Sequence, residues 1–308
     1  MTAITRNFQR AGRVMRSFAT ADGRQIRGYV HRLGLNIELA YYISRTIKFI
    51  RNPLAWTKRK STMRAVTHDP ALARAVDPDT GYGKLPAGTL PGAEVVIAAV
   101  REKLAERRDT AEWWDPFQKK VFLPSDLDDY PEVLDFVLSD EILQIACEYF
   151  GAVPVLQTVQ GWWSPKNDYM QGSQLYHRDN MDWRELKFFI NVSDIGDENG
   201  PFTFLPADVS DRVSRQLGDW RRAVPDEEMY TMCRPEDSRD ATGPTGTCSI
   251  VDSGRCFHYG ARTDKDERVL FMFGFASYYA AMSHKTAVDI DPARFRGDPL
   301  RSLVLGQH

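Results

Sequence analysis

The chain has 308 residues, of which 43% are hydrophobic, so it is long enough to bury a full core. Its formal net charge at pH 7 is only −2, and no nearly uncharged stretch reaches the ~20 residues that a membrane-spanning helix needs. The spacing of the four cysteines argues against a zinc ribbon or a disulfide framework and favours reduced thiols in the cytoplasm; they are Cys147, Cys233, Cys248 and Cys256.

The N-terminal segment, residues 1–65, is strongly basic. It holds 14 Lys and Arg against 2 Asp and Glu, whereas the rest of the chain holds 26 against 40. Apolar residues recur in it at helical spacing, at Leu35, Leu39, Ile43, Ile47 and Ile50. Such a basic amphipathic helix binds an anionic membrane surface or an acidic partner, or docks on the acidic remainder of the chain. Docking is favoured, because an internal partner of opposite charge is present.

The chain is predicted to have three regions: the basic helical extension (1–65), a catalytic region (66–285) and a polar tail (286–308). Thr67–Leu90 is predicted as a loop, Glu94–Arg107 as a helix, Phe117–Pro124 as the start of the catalytic domain, and Pro131–Gly151 as a helix. Strands are predicted over Val155–Trp163, Leu186–Val192, Cys248–Gly254 and Arg268–Phe273. Asp208–Ala241 is too long for a tight turn and is predicted to be a helix-containing, partly mobile insert over the site.

The most informative motif is His177-Arg178-Asp179, followed at a distance by His258 and Arg268. In an extended segment, side chains i and i+2 project to the same side, so His177 and Asp179 can reach one metal while Arg178 points away. Two histidines and one carboxylate that leave other coordination positions open are the ligand set of non-haem iron oxygenases. Each residue alone is more simply explained as a surface or packing residue, but four coinciding positions favour the metal site.

At these residues the chain resembles the phytanoyl-CoA dioxygenase family of Fe(II)- and 2-oxoglutarate-dependent oxygenases. The resemblance extends from about Phe122 to Ser277 and includes the turn Asp194–Pro201. It implies a mainly β fold with flanking helices, in which the core is a double-stranded β-helix of the jelly-roll or cupin type. The family often has a small hydroxylic residue two positions after the distal histidine, where this chain has Gly260.

The resemblance also implies the roles of the motif residues. His177, Asp179 and His258 would hold Fe(II), and Arg268 would bind the far carboxylate of 2-oxoglutarate, the cosubstrate used together with O2. Hydroxylation of a small-molecule, carrier-linked or lipid-linked substrate is the expected outcome, with desaturation and epimerisation left open. Retention of Asp179 argues against halogenation. Nucleic acid is not expected as a partner.

Further residues are candidates for the pocket. Strand alternation places Lys187 on one face with Phe189 and Asn191, and Lys187 is a second candidate for the cosubstrate carboxylate or for an anionic substrate group. Gln160 is a weaker candidate. Cys256 either approaches the iron or, as we prefer, packs in the core. Four aromatic residues flank the motif and either stack on a substrate or belong to the core: Trp162, Trp163, Tyr169 and Trp183.

Two other functions stay open at this point. One is a cosubstrate-free metalloenzyme on a cupin-type fold, and the other is a non-catalytic binding protein on a jelly roll. The complete ligand set together with Arg268 weighs against the binding protein, which needs neither. Release of succinate from 2-oxoglutarate separates the oxygenase from both.

Overall fold

The computed structural model describes residues 37–179, 182–218, 223–280 and 290–306. Predictions that concern Leu35, the side chains of Leu39 and Ile43, and parts of the insert and of the polar tail lie outside the described residues.

The described elements are helices gathered around two antiparallel sheets. The helices are α1 (Ile37–Arg51), α2 (Pro53–Thr62), α3 (Ala93–Arg107), α4 (Pro131–Val137), α5 (Asp140–Phe150), α6 (Ala207–Leu217), α7 (Asp226–Met229) and α8 (Pro299–Val304). The strands are β1 (Tyr82–Leu85), β2 (Trp113–Asp115), β3 (Gln118–Phe122), β4 (Val155–Ser164), β5 (Glu185–Asn191), β6 (Thr203–Phe204), β7 (Arg239–Asp240), β8 (Cys248–Asp252), β9 (His258–Tyr259) and β10 (Arg268–Ala276).

Seven strands form the large sheet, in the order β1-β8-β5-β10-β4-β3-β2. The central strand, β10, pairs with β5 on one side and with β4 on the other, and all of its residues are buried. Its continuous apolar run Val269–Phe273 is typical of a strand that is covered on both faces. The sheet therefore separates two layers of core.

Three short strands form the small sheet, in the order β7-β6-β9. It packs on one face of the large sheet, because Phe202 and Phe204 share a hydrophobic cluster with Phe189, Trp162 and Met272. The other face carries α3, α4 and α5, whose apolar residues form the main core with the strands. The structure thus confirms the predicted fold class, two facing antiparallel sheets with flanking helices.

The helix predicted over Pro131–Gly151 is in fact two helices, α4 and α5. The break lies at Leu138 and Ser139, where the Ser139 side chain accepts a hydrogen bond from the Ile142 amide and so starts a second helix. Gly151 ends that helix at φ 69°, as expected for a residue in the left-handed region.

Two other predictions need correction. The predicted loop Thr67–Leu90 contains the edge strand β1, which passes so close to the preceding chain that a Cβ on Gly83 would lie 1.8 Å from the Ala75 carbonyl oxygen. The predicted insert does contain helices, α6 and α7, but its end is β7 of the small sheet. The mobility of the insert stays a prediction.

The described part of the basic segment docks on the core. Arg59 of α2 is 1% exposed, and its guanidinium donates to the carbonyl oxygens of Val153, Pro154 and Leu303. The Tyr279 hydroxyl donates to the Asn52 carbonyl at 2.6 Å. Among the described residues, none of the helices combines the length and the apolar character needed to cross a membrane.

Candidate metal centre

Main-chain pairing brings the three predicted ligands together. His177 and His258 form a β-bridge, in which each amide donates to the other carbonyl at 2.9 and 2.8 Å. The Asp179 amide donates to the Ser253 carbonyl at 3.0 Å, just beyond the end of β8. One potential ligand atom from each of the three side chains lies within 4.8 Å of the other two. A motif and a histidine 79 residues apart in the sequence therefore meet between the two sheets.

Both histidines are oriented by a hydrogen bond at Nδ1. The Nδ1 of His177 lies 2.8 Å from the Leu175 carbonyl oxygen, and the Nδ1 of His258 lies 2.9 Å from that of Cys256. A carbonyl oxygen can only accept, so each Nδ1 carries a proton and Nε2 is the ring atom of each histidine that is available to a metal. The Nε2 of His258 lies 3.7 Å from an Asp179 carboxylate oxygen. Hydrogen bonds of this kind orient metal-ligating histidines in proteins.

The electrostatics favour the charge states of a metal site. Burial and the neighbouring His177 lower the pKa of His258 to about 3, so its imidazole is neutral at pH 7. Burial alone would raise the pKa of Asp179, but Lys187 and the two histidines hold that pKa well below its usual range. The carboxylate is therefore ionised. Lys187 donates to it at 2.5 Å, so Lys187 contacts one of the three proposed ligands.

Arg178 points away from the ligands, as the alternation predicts. Its guanidinium donates to Asp211 of α6 at 3.2 Å and lies over the Phe257 ring. Burial lowers the pKa of Arg178, and Asp211 opposes that effect. The residue between the two ligands thus anchors α6 beside the metal centre.

Arg268 is a buried cation with no acidic partner among the described residues. It is 4% exposed, donates to the Gly200 carbonyl at 2.9 Å and to the Ser164 hydroxyl at 3.4 Å, and has an Nε atom without a hydrogen-bond partner. Burial lowers the pKa of Arg268 to about 10, so it remains charged at pH 7. A buried guanidinium with an unused donor can bind an anion that enters the site.

The guanidinium of Arg268 lies close to Gly260. A Cβ on Gly260 would lie 3.3 Å from Nη1 of Arg268, so the guanidinium lies beside the position two residues after His258. Two residues of extended chain span about 7 Å. Gly260 therefore leaves room for the guanidinium at this position.

Gln160 and Ser164 lie on the same face of β4. Gln160 is half-buried, opposite Met272 in the register, and shares its face of β4 with Trp162 and Ser164. Ser164 was missed by the sequence analysis, although its alternation with Gln160 and its position opposite Arg268 place it at the site.

The flanking aromatic residues separate into two groups. Trp162 faces the small sheet, whereas Trp163 belongs to the main core. Tyr169 and Trp183 are 45% and 42% exposed. Cys256 packs in the core, with its thiol directed at the Thr80 carbonyl, so the packing interpretation of this cysteine is confirmed.

No protein-family model matches the chain, and no curated protein matches it. Several solved structures resemble it weakly. EctD from S. alaskensis with bound Fe has a TM-score of 0.49 at 16% identity and covers 73% of this chain and 87% of its own. HygX from Streptomyces hygroscopicus, with nickel and 2-oxoglutarate bound, has a TM-score of 0.48 at 16% identity over 68% and 88%. The epimerase SnoN from nogalamycin biosynthesis has 0.47 at 14% over 70% and 83%. At such scores the likeness assigns neither family nor activity.

Proposed function

We propose that this protein is an Fe(II)- and 2-oxoglutarate-dependent oxygenase that hydroxylates a small-molecule, carrier-linked or lipid-linked substrate. The observation that carries the proposal is the pairing of two features in one site. His177, Asp179 and His258 form a complete ligand set, and the buried guanidinium of Arg268 lies nearby with no carboxylate partner in the part of the chain that the structure describes. A binding protein on this fold needs neither feature, and a cosubstrate-free metalloenzyme needs only the first.

The donor set fits Fe(II). Two imidazole nitrogens and one carboxylate leave positions open for further ligands, which is the arrangement that non-haem iron oxygenases use. Cys256 adds no soft ligand, because burial raises the pKa of its thiol well above the ordinary value and its sulfur lies in the core. When bound, iron and 2-oxoglutarate supply the activation of O2, coupled to oxidative decarboxylation that releases succinate and CO2.

The side chains around the ligands position them and exclude water. Lys187 fixes one oxygen of Asp179 and neutralises its charge. Phe202 stacks on His258 at a centroid distance of 4.9 Å, and Phe189 stacks on Phe202. This apolar wall shields one side of the centre.

Arg268 is the better candidate for the cosubstrate carboxylate. The ammonium group of Lys187 is occupied by Asp179, whereas Arg268 has a free donor and the Ser164 hydroxyl beside it. A planar guanidinium matches a carboxylate with two parallel hydrogen bonds. Cosubstrate roles for Lys187 and Gln160 stay predictions.

The proposal is tested by iron binding and 2-oxoglutarate turnover. We expect one Fe(II) per chain and succinate formation that depends on Fe(II), with loss of turnover in His177→Ala, Asp179→Ala and His258→Ala. His68→Ala is the matched control, because the His68 side chain is 61% exposed and lies outside the site. Undiminished iron affinity in all three ligand variants would contradict the proposed centre.

A further inference from the structure

A cavity of about 310 Å³ lies at the interface between helices α1 and α2 and the core. Helices α1 and α2 contribute one wall. The residues before β4, those before β5 and those after β10 contribute the other. The side chains that matter here are Arg45, Trp56, Arg59, Trp183, Arg184 and Tyr278.

The cavity concentrates positive charge. Three arginines line it, Arg45, Arg59 and Arg184, and none of the described lining residues is acidic. Several other partly buried arginines of the described chain pair with carboxylates, as Arg107 does with Asp126 and Arg262 does with Asp226. None of the cavity arginines forms an ion pair of this kind among the described residues, although Arg184 is near enough to Asp252 to oppose the rise in that carboxyl's pKa. Three guanidinium groups around one hollow repel each other, and an anion between them would relieve that repulsion.

The arginines are fixed rather than freely solvated. Arg59 is anchored by backbone carbonyls and lies over the Tyr278 ring, 4.2 Å from its centroid. Arg184 lies over the Tyr149 ring at 5.4 Å. The ring contact holds the guanidinium plane of Arg184, which leaves its donors oriented in advance. Arg59 uses Nη1 and Nη2 on carbonyl oxygens, so it contributes mainly positive charge to the cavity. Trp56 and Trp183 add flat apolar surface to the same hollow.

We propose that this cavity binds a phosphate-bearing small molecule. Guanidinium groups bind phosphate oxygens through paired hydrogen bonds, and the tryptophans suit an apolar or flat part of the same ligand. The site is concave, and Arg59 is too deeply buried to reach a bilayer, so a small anion fits better than a membrane surface.

The cavity is distinct from the metal centre. Arg184 directly precedes β5 and contacts Tyr149 on the helix-covered side of the large sheet, whereas Lys187 contacts Asp179 on the other side. The inference therefore goes beyond the proposed oxygenase function. It also gives a role to the basic segment, which supplies Arg45 and Arg59.

Tryptophan fluorescence of the full chain without added iron reports on binding, because Trp56 and Trp183 line the cavity. Titration with inorganic pyrophosphate and with glycerol phosphate should give a saturable change. Arg45→Gln and Arg184→Gln should each weaken binding at least tenfold with little change in melting temperature. Arg64→Gln is the matched control, since Arg64 is an exposed arginine of the same segment outside the cavity.

Asp179→Ala separates the cavity from the metal centre. Pyrophosphate binding that persists in this variant supports the proposal, even where iron binding and turnover are lost. Absence of saturable binding by either phosphate compound overturns it, and so does equal weakening by Arg64→Gln. Binding of anionic vesicles without binding of pyrophosphate overturns it as well and assigns the charge to a membrane surface.

Discussion

Arg268 is buried and has no acidic partner in residues 37–179, 182–218, 223–280 and 290–306. Loss of a hydrogen-bonded charge pair from a closed pocket costs ~2–5 kcal/mol. We therefore expect Arg268→Ala to raise the Michaelis constant for 2-oxoglutarate by a factor of tens to thousands, while iron affinity stays unchanged. Arg268→Lys should recover only part of the loss, because an ammonium group lacks the planar pair of donors. An unchanged Michaelis constant would remove Arg268 from this role.

Asp252 at the end of β8 makes stability depend on pH. Burial raises its pKa from an ordinary 3.8 to about 6, although the Tyr149 hydroxyl donates to it. Between these values the folded state holds a proton that the unfolded state releases, so rising pH favours unfolding. The difference corresponds to about 3 kcal/mol. We expect the unfolding free energy of the wild-type protein, measured by urea denaturation, to fall by up to about 3 kcal/mol between pH 4 and pH 7. The Asp252→Asn variant should not show this decrease. Parallel curves for the two proteins would contradict the assignment.

The sequence could predict the metal ligands because their residue types and local spacing carry the chemistry. His177 and Asp179 share a side of one extended segment, and that requirement is local. The isolation of Arg268 could not be predicted, since it depends on which carboxylates the fold leaves at a distance. Ser164 was missed for a related reason: its place in the site follows from its pairing with Arg268, which the sequence alone does not show.

At the scale of elements, the turn Asp194–Pro201 supports the site through Gly200. Its carbonyl accepts from Arg268, its φ is 58°, and a Cβ there would lie 2.5 Å from the Arg262 carbonyl carbon. Gly200→Ala should therefore destabilise the protein and also weaken 2-oxoglutarate binding. Gly151→Ala is the matched control, because φ is 69° there and a Cβ would meet nothing within 4 Å. Left-handed strain costs roughly 1–2 kcal/mol in both variants. Equal unfolding free energies for the two variants would argue against the close contact.

Long elements were predictable from their patterns and short ones were not. β4, β5 and β10 appear in the sequence as extended apolar or alternating runs, and α3 has its predicted course. β6, β7 and β9 have two residues each, too few for any periodicity, and they exist because the large sheet offers an apolar face to cover. The break between α4 and α5 depends on one capping serine inside a continuous apolar pattern.

At the scale of the whole molecule, the opposite charges of the two parts of the chain raise the question of what the basic segment binds. In the described part, α2 is fixed to the core by Arg59, whose three hydrogen bonds reach residues before β4 and in α8. Sequence periodicity indicated a helix but did not identify its partner, because docking depends on carbonyl groups that only the folded core presents. The membrane interpretation stays a weaker alternative.

Deletion of residues 1–65 distinguishes the two interpretations. The Arg59 bonds are charged, and such bonds contribute roughly 1.5–3 kcal/mol each. Because about 1 kcal/mol shifts the melting temperature of a chain of this size by roughly 2–4 °C, the truncated protein should melt roughly 10 °C lower and lose solubility as the apolar interface is exposed. Arg59→Ala should reproduce much of the decrease, and Arg64→Ala should not. If the truncated protein instead melts at the same temperature, and the full chain binds anionic vesicles in a manner that salt weakens, the segment is a membrane-binding surface and its contact with the core contributes little stability.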